Sequence, residues 1–263
     1  MDKKELQNPA LYTNRELSWL LFNKRVLSEA RDKQLLLFER LKFLSITASN
    51  LDEFFMVRIG SLVDMIHAEY TKKDIAGMSA KEQLDALMEE THKFAALQYS
   101  TYNRMLLPQL RANGLNFVEH HEQLTERQAQ YVDEYFEENV YPVLTPMAVD
   151  SSRPFPLIRN KTLNIGALVA KKGEKDTEIE FATVQVPSVL PRVVRIPAAK
   201  EGDTEVAVLL LEEIIERNIS KLFLNYNVLC AHPFRITRNA DLAIDEDEAE
   251  DLLLEIEKQI KKR

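Results

Sequence analysis

Apolar side chains recur at helical spacing through the first part of the chain. Leu84, Leu87 and Met88 begin one such series, and positions three or four residues apart lie on one face of a helix. Glycine, which weakens helices, occurs here only as Gly60 and Gly77. We therefore predict an all-helical N-terminal domain over residues 1–113.

Helix starts are indicated by capping boxes, in which a short polar side chain and a residue three positions later satisfy each other's free backbone N–H groups. The pattern occurs at Thr13, Asn50, Ser79 and Thr125. The Ser79 helix is expected to close near Gly114, because glycine readily adopts the left-handed conformation that ends many helices. Pro108 is predicted to kink or restart this helix, since proline lacks the N–H that a helix interior needs.

The second half reads differently, as β-branched apolar runs separated by prolines. Strands are predicted at residues 163–171, 178–186, 192–196, 205–210 and 234–238, and helices at 211–217 and from 246 onward. This pattern predicts a mixed α/β domain over residues 114–263. The chain ends at Lys261-Lys262-Arg263 with no terminating glycine or following strand. We therefore expect truncation of a larger protein, with a natural helix end as the alternative.

Composition narrows the class of protein. Hydrophobic residues make up 45% of the 263 residues, which suffices for a packed core. No apolar run approaches the roughly 20 residues of a membrane-spanning helix. A single cysteine, Cys230, excludes an internal disulfide and fits a reducing compartment. The net charge of −8 argues against nucleic acid as the main partner, because phosphate binding needs a basic footprint.

Motifs for catalysis are missing from the sequence. None of the five histidines stands at metal-ligand spacing with another histidine or cysteine, and the adjacent His120 and His121 point in different directions. There is no glycine-rich phosphate loop and no serine or cysteine nucleophile motif. We therefore predict neither a catalytic residue nor a metal ligand within this chain.

Two segments carry more information. In the first, Trp19, Phe22 and Val26 share a helical stripe whose simplest interpretation is core packing. In the second, residues 45–58, small polar residues interrupt an apolar run and Asn50 stands where a helix could restart. Asn50 either caps that helix or offers its amide donor and acceptor to a purine edge. Spacing favours the cap.

These two segments, with three others, resemble the polyphosphate kinase family of the large bacterial type. The motifs are Tyr12 with Glu16-Leu17-Ser18-Trp19-Leu20-x-Phe22-Asn23-x-Arg25-Val26-Leu27, Glu39-Arg40-x-x-Phe43-Leu44, Ser49-Asn50-Leu51-Asp52-Glu53-Phe54-Phe55-x-Val57-Arg58, Tyr141-Pro142-Val143-Leu144-Thr145-Pro146, and His232-Pro233-Phe234-Arg235-Ile236-Thr237-Arg238-Asn239-Ala240-Asp241. They follow one another in the family's order and cover nearly the whole chain.

The resemblance implies an α+β multidomain protein: an all-helical N-terminal domain, then a mixed α/β head domain similar to the PX fold and here truncated. It implies reversible transfer of the terminal phosphate of ATP to polyphosphate through a phosphohistidine, with ATP or ADP as substrate. The phosphohistidine and the Mg²⁺ ligands are expected in catalytic domains that this chain lacks, so the chain alone is expected to be inactive. A homo-oligomer, dimer or tetramer, and a cytoplasmic or peripheral inner-membrane location are also implied.

The resemblance places one nucleotide contact in this chain. The asparagine of the family's Ser-Asn-Leu-Asp-Glu-Phe motif corresponds to Asn50, which would contact the adenine of ATP above a support of Trp19, Phe54 and Phe55. The alternative function is a non-catalytic interaction or oligomerisation module. Arg235 and Arg238 either line a polyphosphate path, since arginine suits phosphate oxygens, or form ordinary salt bridges.

Overall fold

A computed structural model describes residues 5–149, 158–173, 179–240 and 253. Their packing divides the chain into two compact units, one of Met1–Gln109 with Thr237–Arg263 and one of Leu110–Ile236. The predicted fold class, a helical part followed by a mixed helix and sheet part, is confirmed. The predicted domain ranges 1–113 and 114–263 stay a prediction, and the helix predicted from residue 246 falls almost entirely outside the described residues.

The described residues of the first part of the chain are mainly helical. The α-helices are α1 (Arg15–Arg31), α2 (Leu37–Phe54), α3 (Gly60–His67), α4 (Ala80–Thr101) and α5 (Leu107–Ala112). A π-helical turn, Phe55–Ile59, connects α2 to α3, and a second, Tyr102–Leu106, connects α4 to α5. Pro108 stands directly after the second π-helical turn, in a helix that continues without a break from α4 into α5. The predicted restart is therefore wrong, and the kink predicted as its alternative stays a prediction.

The structure shows which of the predicted residues cap the helices. Capping boxes at Ser79 and Thr125 are confirmed, with both reciprocal bonds present at each. Gly114 has φ of 77° just beyond α5, as a helix-ending glycine should. The box at Thr13 is wrong: Asn14 caps α1, its side-chain oxygen accepting from the backbone N–H groups of Glu16 and Leu17.

Helix α2 runs without interruption through Asn50, so the helix start predicted there is wrong. The small polar residues do not break it because their hydroxyls bond back onto the helix. Ser45 donates to the carbonyl of Lys42 (2.8 Å) and Thr47 to that of Leu44 (2.7 Å), a local bond that helices accept. The irregularity expected near residue 50 occurs later, at the π-helical turn.

The core of the helical part lies where α1 packs against α2 and α4. Its larger cluster includes the buried side chains of Leu20, Phe54, Leu62 and Leu87. Phe22 does not join it: 47% of that residue is exposed. The predicted core stripe of Trp19, Phe22 and Val26 is therefore wrong at Phe22, and the buried face of α1 is set one residue away, through Leu20, Asn23 and Leu27.

Among its described residues, the second part of the chain contains two sheets and two α-helices. The elements are β1 (Leu115–Val118), α6 (Glu126–Tyr135), β2 (Pro146–Val149), β3 (Leu163–Lys171), β4 (Glu180–Gln185), β5 (Val193–Ile196), β6 (Val206–Leu210), α7 (Leu211–Arg217) and β7 (Tyr226–Arg235). One sheet has the order β1-β6-β5, with β1 and β6 parallel, and the other has the antiparallel order β2-β4-β3-β7. Both contribute to one core, which α7 completes with Leu211, Ile214 and Ile215.

Strand β7 corrects the strand predicted at residues 234–238. It begins at Tyr226, pairs antiparallel with β3 and ends at Arg235. Among the described residues β7 is an edge strand, the position in a sheet where a proline such as Pro233 is tolerated. The register shifts between Leu168 and Val169 of β3, which leaves Leu229 without a partner in the ladder, as in a β-bulge.

Candidate functional site

Asn50 lies in the last turns of α2, with its side chain half-buried. Its amide nitrogen Nδ2 donates a hydrogen bond to Oδ1 of Asn23 on α1, at 3.0 Å. The side chain therefore bonds to a neighbouring helix and not to the backbone at a helix start. Capping, which spacing favoured, is excluded as the role of Asn50, while the expected contact with adenine stays a prediction.

Asn23 fixes the orientation of the Asn50 amide. Asn23 is fully buried, and its own Nδ2 donates to the backbone carbonyl of Thr47 at 3.1 Å. Because its Nδ2 is directed to Thr47, Asn23 turns its Oδ1 toward Asn50, and Asn50 donates its Nδ2 to that oxygen. Among the described residues, Oδ1 of Asn50 has no hydrogen-bond partner, so an acceptor and one remaining N–H are free for a ligand.

Aromatic rings form the floor beside this amide. The indole of Trp19 stacks on the ring of Phe54, with centroids 4.4 Å apart and planes 8° from parallel. Phe55 meets Phe54 edge-on, at 6.4 Å. Phe54 is only 2% exposed and belongs to the core, so it holds the indole in a fixed position. Such a stack offers a rigid, partly exposed π-face of the kind on which bases stack.

The amide and the indole line one cavity of about 260 Å³. Its lining residues are Trp19, Phe22, Asn50, Glu53, Phe54, Val57 and Arg58. Small-molecule pockets usually enclose about 300–1,000 Å³, so this cavity has room for part of a nucleotide and not for all of it. Its lining combines apolar faces with one amide and one charge of each sign, which suits a planar ring that carries polar edge atoms.

A second cavity, of about 270 Å³, shares Arg58 with the first and has more basic than acidic side chains in its lining. Its carboxylates are already engaged. Glu16 lies 2.7 Å from Arg15 and 3.9 Å from Arg58, while Asp74 accepts from the side-chain amide of Asn14 at 2.7 Å. The basic side chains lining it are Arg15, Arg58, Lys72 and Lys73. A chain with a net charge of −8 thus has a local surface that attracts anions. Salt screens charges only weakly within a Debye length of about 8 Å, so the local charge outweighs the net charge.

Two residues of this region escaped the sequence reasoning. Asn23 stands in the apolar Trp19 stripe, where a polar residue carries no signal of its own, and its partner is 27 positions away. Arg58 was visible only as part of a motif. The signal that could have identified Asn23 is its helical spacing from Leu20 and Leu27, because an amide on an apolar face needs a hydrogen-bond partner.

The remaining predicted groups lie elsewhere. No histidine lines the Asn50 cavity. Arg238 lines a separate cavity of about 260 Å³ with Thr237 and Asn239, against the first π-helical turn and α3. Arg235 ends β7, and both arginines already interact with other residues of the chain. The polyphosphate path proposed for these two residues stays a prediction.

Comparison with known proteins identifies the family. Residues 12–118 match the polyphosphate kinase N-terminal domain, and residues 127–263 match the polyphosphate kinase middle domain. The chain belongs to the polyphosphate kinase family. The second match covers more than half of the chain, and the two together leave only its first residues and a short connection unmatched.

Individual polyphosphate kinases give the same result. That of Halalkalibacterium halodurans is 48% identical over 260 residues, 98% of this chain and 36% of its own length. That of Lactiplantibacillus plantarum is 48% identical over 252 residues, 96% of this chain and 34% of its own. The crystal structure of polyphosphate kinase from Porphyromonas gingivalis superposes with a TM-score of 0.76 at 29% identity, covering 95% of this chain and 37% of that one. The chain therefore spans about a third of the length of these kinases. Within its described residues, no helix has the length and apolar character to cross a membrane.

Proposed function

We propose that this chain is the N-terminal and head portion of an enzyme that reversibly transfers the terminal phosphate of ATP to polyphosphate, and that its Asn50 cavity contacts adenine. The observation that carries the proposal is the Asn23–Asn50 pair. A buried residue fixes the amide of Asn50 and leaves its oxygen free at the edge of an aromatic cavity. A purine that stacks on Trp19 would present its exocyclic amine to that oxygen.

The volume of the Asn50 cavity and the positive charge of the neighbouring cavity support this proposal. The cavity admits a base but not a whole nucleotide, so the phosphates must lie outside it. The basic cavity that shares Arg58 gives polyanionic groups a favourable neighbourhood. Magnesium and the phosphorylated histidine belong, in this proposal, to the two thirds of the relatives' length that this chain does not match.

The decisive experiment measures Asn50→Ala in a full-length enzyme that contains this chain. We expect the KM for ATP to rise roughly fivefold to tenfold, since one neutral hydrogen bond contributes about 1 kcal/mol, while the KM for polyphosphate in the reverse reaction stays unchanged. ATP should be compared with purine riboside triphosphate, which lacks the exocyclic amine. The wild-type enzyme should prefer ATP, and the Asn50→Ala enzyme should discriminate little between the two.

The matched controls separate binding from folding. Asn139→Ala removes an exposed asparagine whose side chain donates to the carbonyl of Tyr135, four residues earlier, and should leave both KM values unchanged. Asn23→Ala keeps the Asn50 side chain but releases it, so it should raise the KM for ATP less than Asn50→Ala does. An Asn50→Ala enzyme that loses stability yet keeps its KM for ATP and its preference for the amine would refute the adenine contact.

A second candidate function is an oligomerisation module, in which Asn50 only joins α1 to α2. The observation in its favour is the adjacent pair Leu21 and Phe22 on α1, 54% and 47% exposed. Leu21 does not line the cavity, so Leu21→Ser tests this role separately. Under this alternative, Leu21→Ser shifts the sedimentation of the full-length enzyme and Asn50→Ala leaves ATP kinetics unchanged.

A further inference from the structure

Histidine and glutamate side chains gather on one patch of the second unit, apart from the Asn50 cavity. His120, His121 and Glu122 lie in the connection between β1 and α6. Glu213 belongs to α7 and meets His121 across 92 positions of sequence. Neither spacing along the chain nor periodicity could have found this group, because folding alone brings α7 to the end of β1.

Glu213 is the fixed member of the group. It is 8% exposed, and its Oε2 accepts from the backbone N–H of His121 at 2.9 Å. The ring nitrogen Nδ1 of His121 lies 3.2 Å from the same oxygen. The other oxygen, Oε1, lies 3.8 Å from Nδ1 of His120, which is too far for a hydrogen bond. One carboxylate oxygen is thus held by the protein, and the other faces an imidazole across a gap.

We propose that His120, Glu122 and Glu213 bind a divalent transition-metal ion of the zinc class. One ligand atom from each of the three lies within 4.8 Å of the others. Tetrahedral zinc with bonds of about 2.0–2.1 Å separates its ligand atoms by about 3.3 Å. The side chains of His120 and Glu122 are 67% and 73% exposed, so rotation about their own bonds can close the remaining distance around the fixed Glu213.

The donor types favour such a metal over magnesium. Imidazole nitrogen suits zinc, copper and nickel, whereas magnesium prefers oxygen ligands and keeps its waters. This ion would therefore be distinct from the magnesium that phosphoryl transfer requires, and the proposal does not depend on that reaction.

His121 has the position of a supporting residue around this site. Its Nδ1 faces Glu213 at 3.2 Å and its Nε2 faces Glu122 at 3.5 Å. One imidazole between two ligand carboxylates orients both of them, as outer residues do around many metal sites.

Neighbouring charge supports a cation here. Glu216, on the next turn of α7, adds a further carboxyl group, which Nδ1 of His232 on β7 faces at 3.5 Å. A divalent ion would offset the repulsion between the carboxylates of Glu122 and Glu213.

The test is calorimetric titration of the 263-residue chain with zinc chloride after removal of metal with a chelator. We expect one equivalent of zinc to bind, and equimolar magnesium not to displace it. His120→Ala and Glu122→Gln should each weaken binding at least about tenfold, since even supporting residues contribute 10–100-fold. Both side chains are exposed, so circular dichroism should show unchanged folding. The visible spectrum of bound Co²⁺ should change with His120→Ala.

The matched control is His92→Ala, which removes an exposed histidine of α4 in the other unit and should leave zinc affinity unchanged. Equal affinity in wild type, His120→Ala and Glu122→Gln would overturn the proposal. So would an absence of zinc binding, or displacement by equimolar magnesium, which would indicate a site built from oxygen alone.

Discussion

At the scale of single residues, the chemistry of a side chain was easier to predict than its partner. The sequence indicated that Asn50 combines a donor and an acceptor near aromatic residues, and the structure places it beside Trp19 and Phe54. Capping was the wrong alternative because it assumed that Ser45 and Thr47 break the helix. Their hydroxyls bond back to it instead, an outcome that depends on rotamers and that no pattern of residue types reveals.

Gly60, the first residue of α3, offers a test of packing at this scale. A Cβ added there would lie 2.6 Å from Oδ1 of Asn239, whose Nδ2 donates to Asp64 at 2.8 Å. Alanine is a better helix former than glycine by about 1 kcal/mol, but in Gly60→Ala the Asn239 side chain must move and give up Asp64. In the Asn239→Ala background, we expect Gly60→Ala to raise the free energy of unfolding by up to about 1 kcal/mol. In the wild-type background, where Asn239 is present, we expect a smaller increase or a decrease.

A double-mutant cycle measured by urea unfolding gives this coupling directly. The four proteins are wild type, Gly60→Ala, Asn239→Ala and the double variant. An equal effect of Gly60→Ala in both backgrounds would show that Asn239 does not restrict position 60.

At the scale of elements, short-range sequence patterns predicted helix starts and one strand correctly, whereas features that depend on pairing between distant strands were missed. The caps at Ser79 and Thr125 and the strand Leu163–Lys171 follow from short-range chemistry and are confirmed. Strands β1 and β2 were not predicted: β1 pairs with β6, about ninety residues later in the chain, and β2 begins with a proline, which disfavours strands. Strand β7 was misplaced because its length is decided by β3, more than fifty residues earlier in the chain.

The Ser79 cap supplies the prediction at this scale. Ser79→Ala removes the oxygen that accepts the backbone N–H of Glu82 at 3.3 Å and leaves the first turn of α4 with one more unsatisfied donor. We expect the free energy of unfolding to fall by about 1 kcal/mol, measured by denaturant titration. Ser45→Ala is the matched control. Its hydroxyl serves only the carbonyl of Lys42 within α2, so the change should stay within about 0.5 kcal/mol of neutral. Similar losses for both variants would assign the effect to serine in general and not to the cap.

At the scale of the whole molecule, composition predicted the class and the order of the two parts but not the arrangement of the sheets. Helical spacing before residue 113 and β-branched runs after it reflect burial, which acts on every residue of an element. The orders β1-β6-β5 and β2-β4-β3-β7 depend on contacts between distant segments. Several strands alternate too weakly for a pattern to select one such order over another.

The last prediction concerns what the chain does by itself. Phosphoryl transfer depends on metal ions and basic groups that hold the phosphates in line, and the Asn50 cavity has one arginine and no histidine. We expect the 263-residue chain, given ATP and magnesium, to form no polyphosphate above a protein-free control, while a full-length enzyme containing it does. The chain should still bind ATP weakly, and Asn50→Ala should reduce that binding severalfold. Polyphosphate synthesis by the chain alone would show that the nucleophile lies within these residues. It would refute the proposal that this chain only contacts the base while the rest of the enzyme transfers the phosphate. ATP binding that does not depend on Asn50 would instead favour the basic cavity beside Arg58 as the binding site, because phosphate attraction needs no amide.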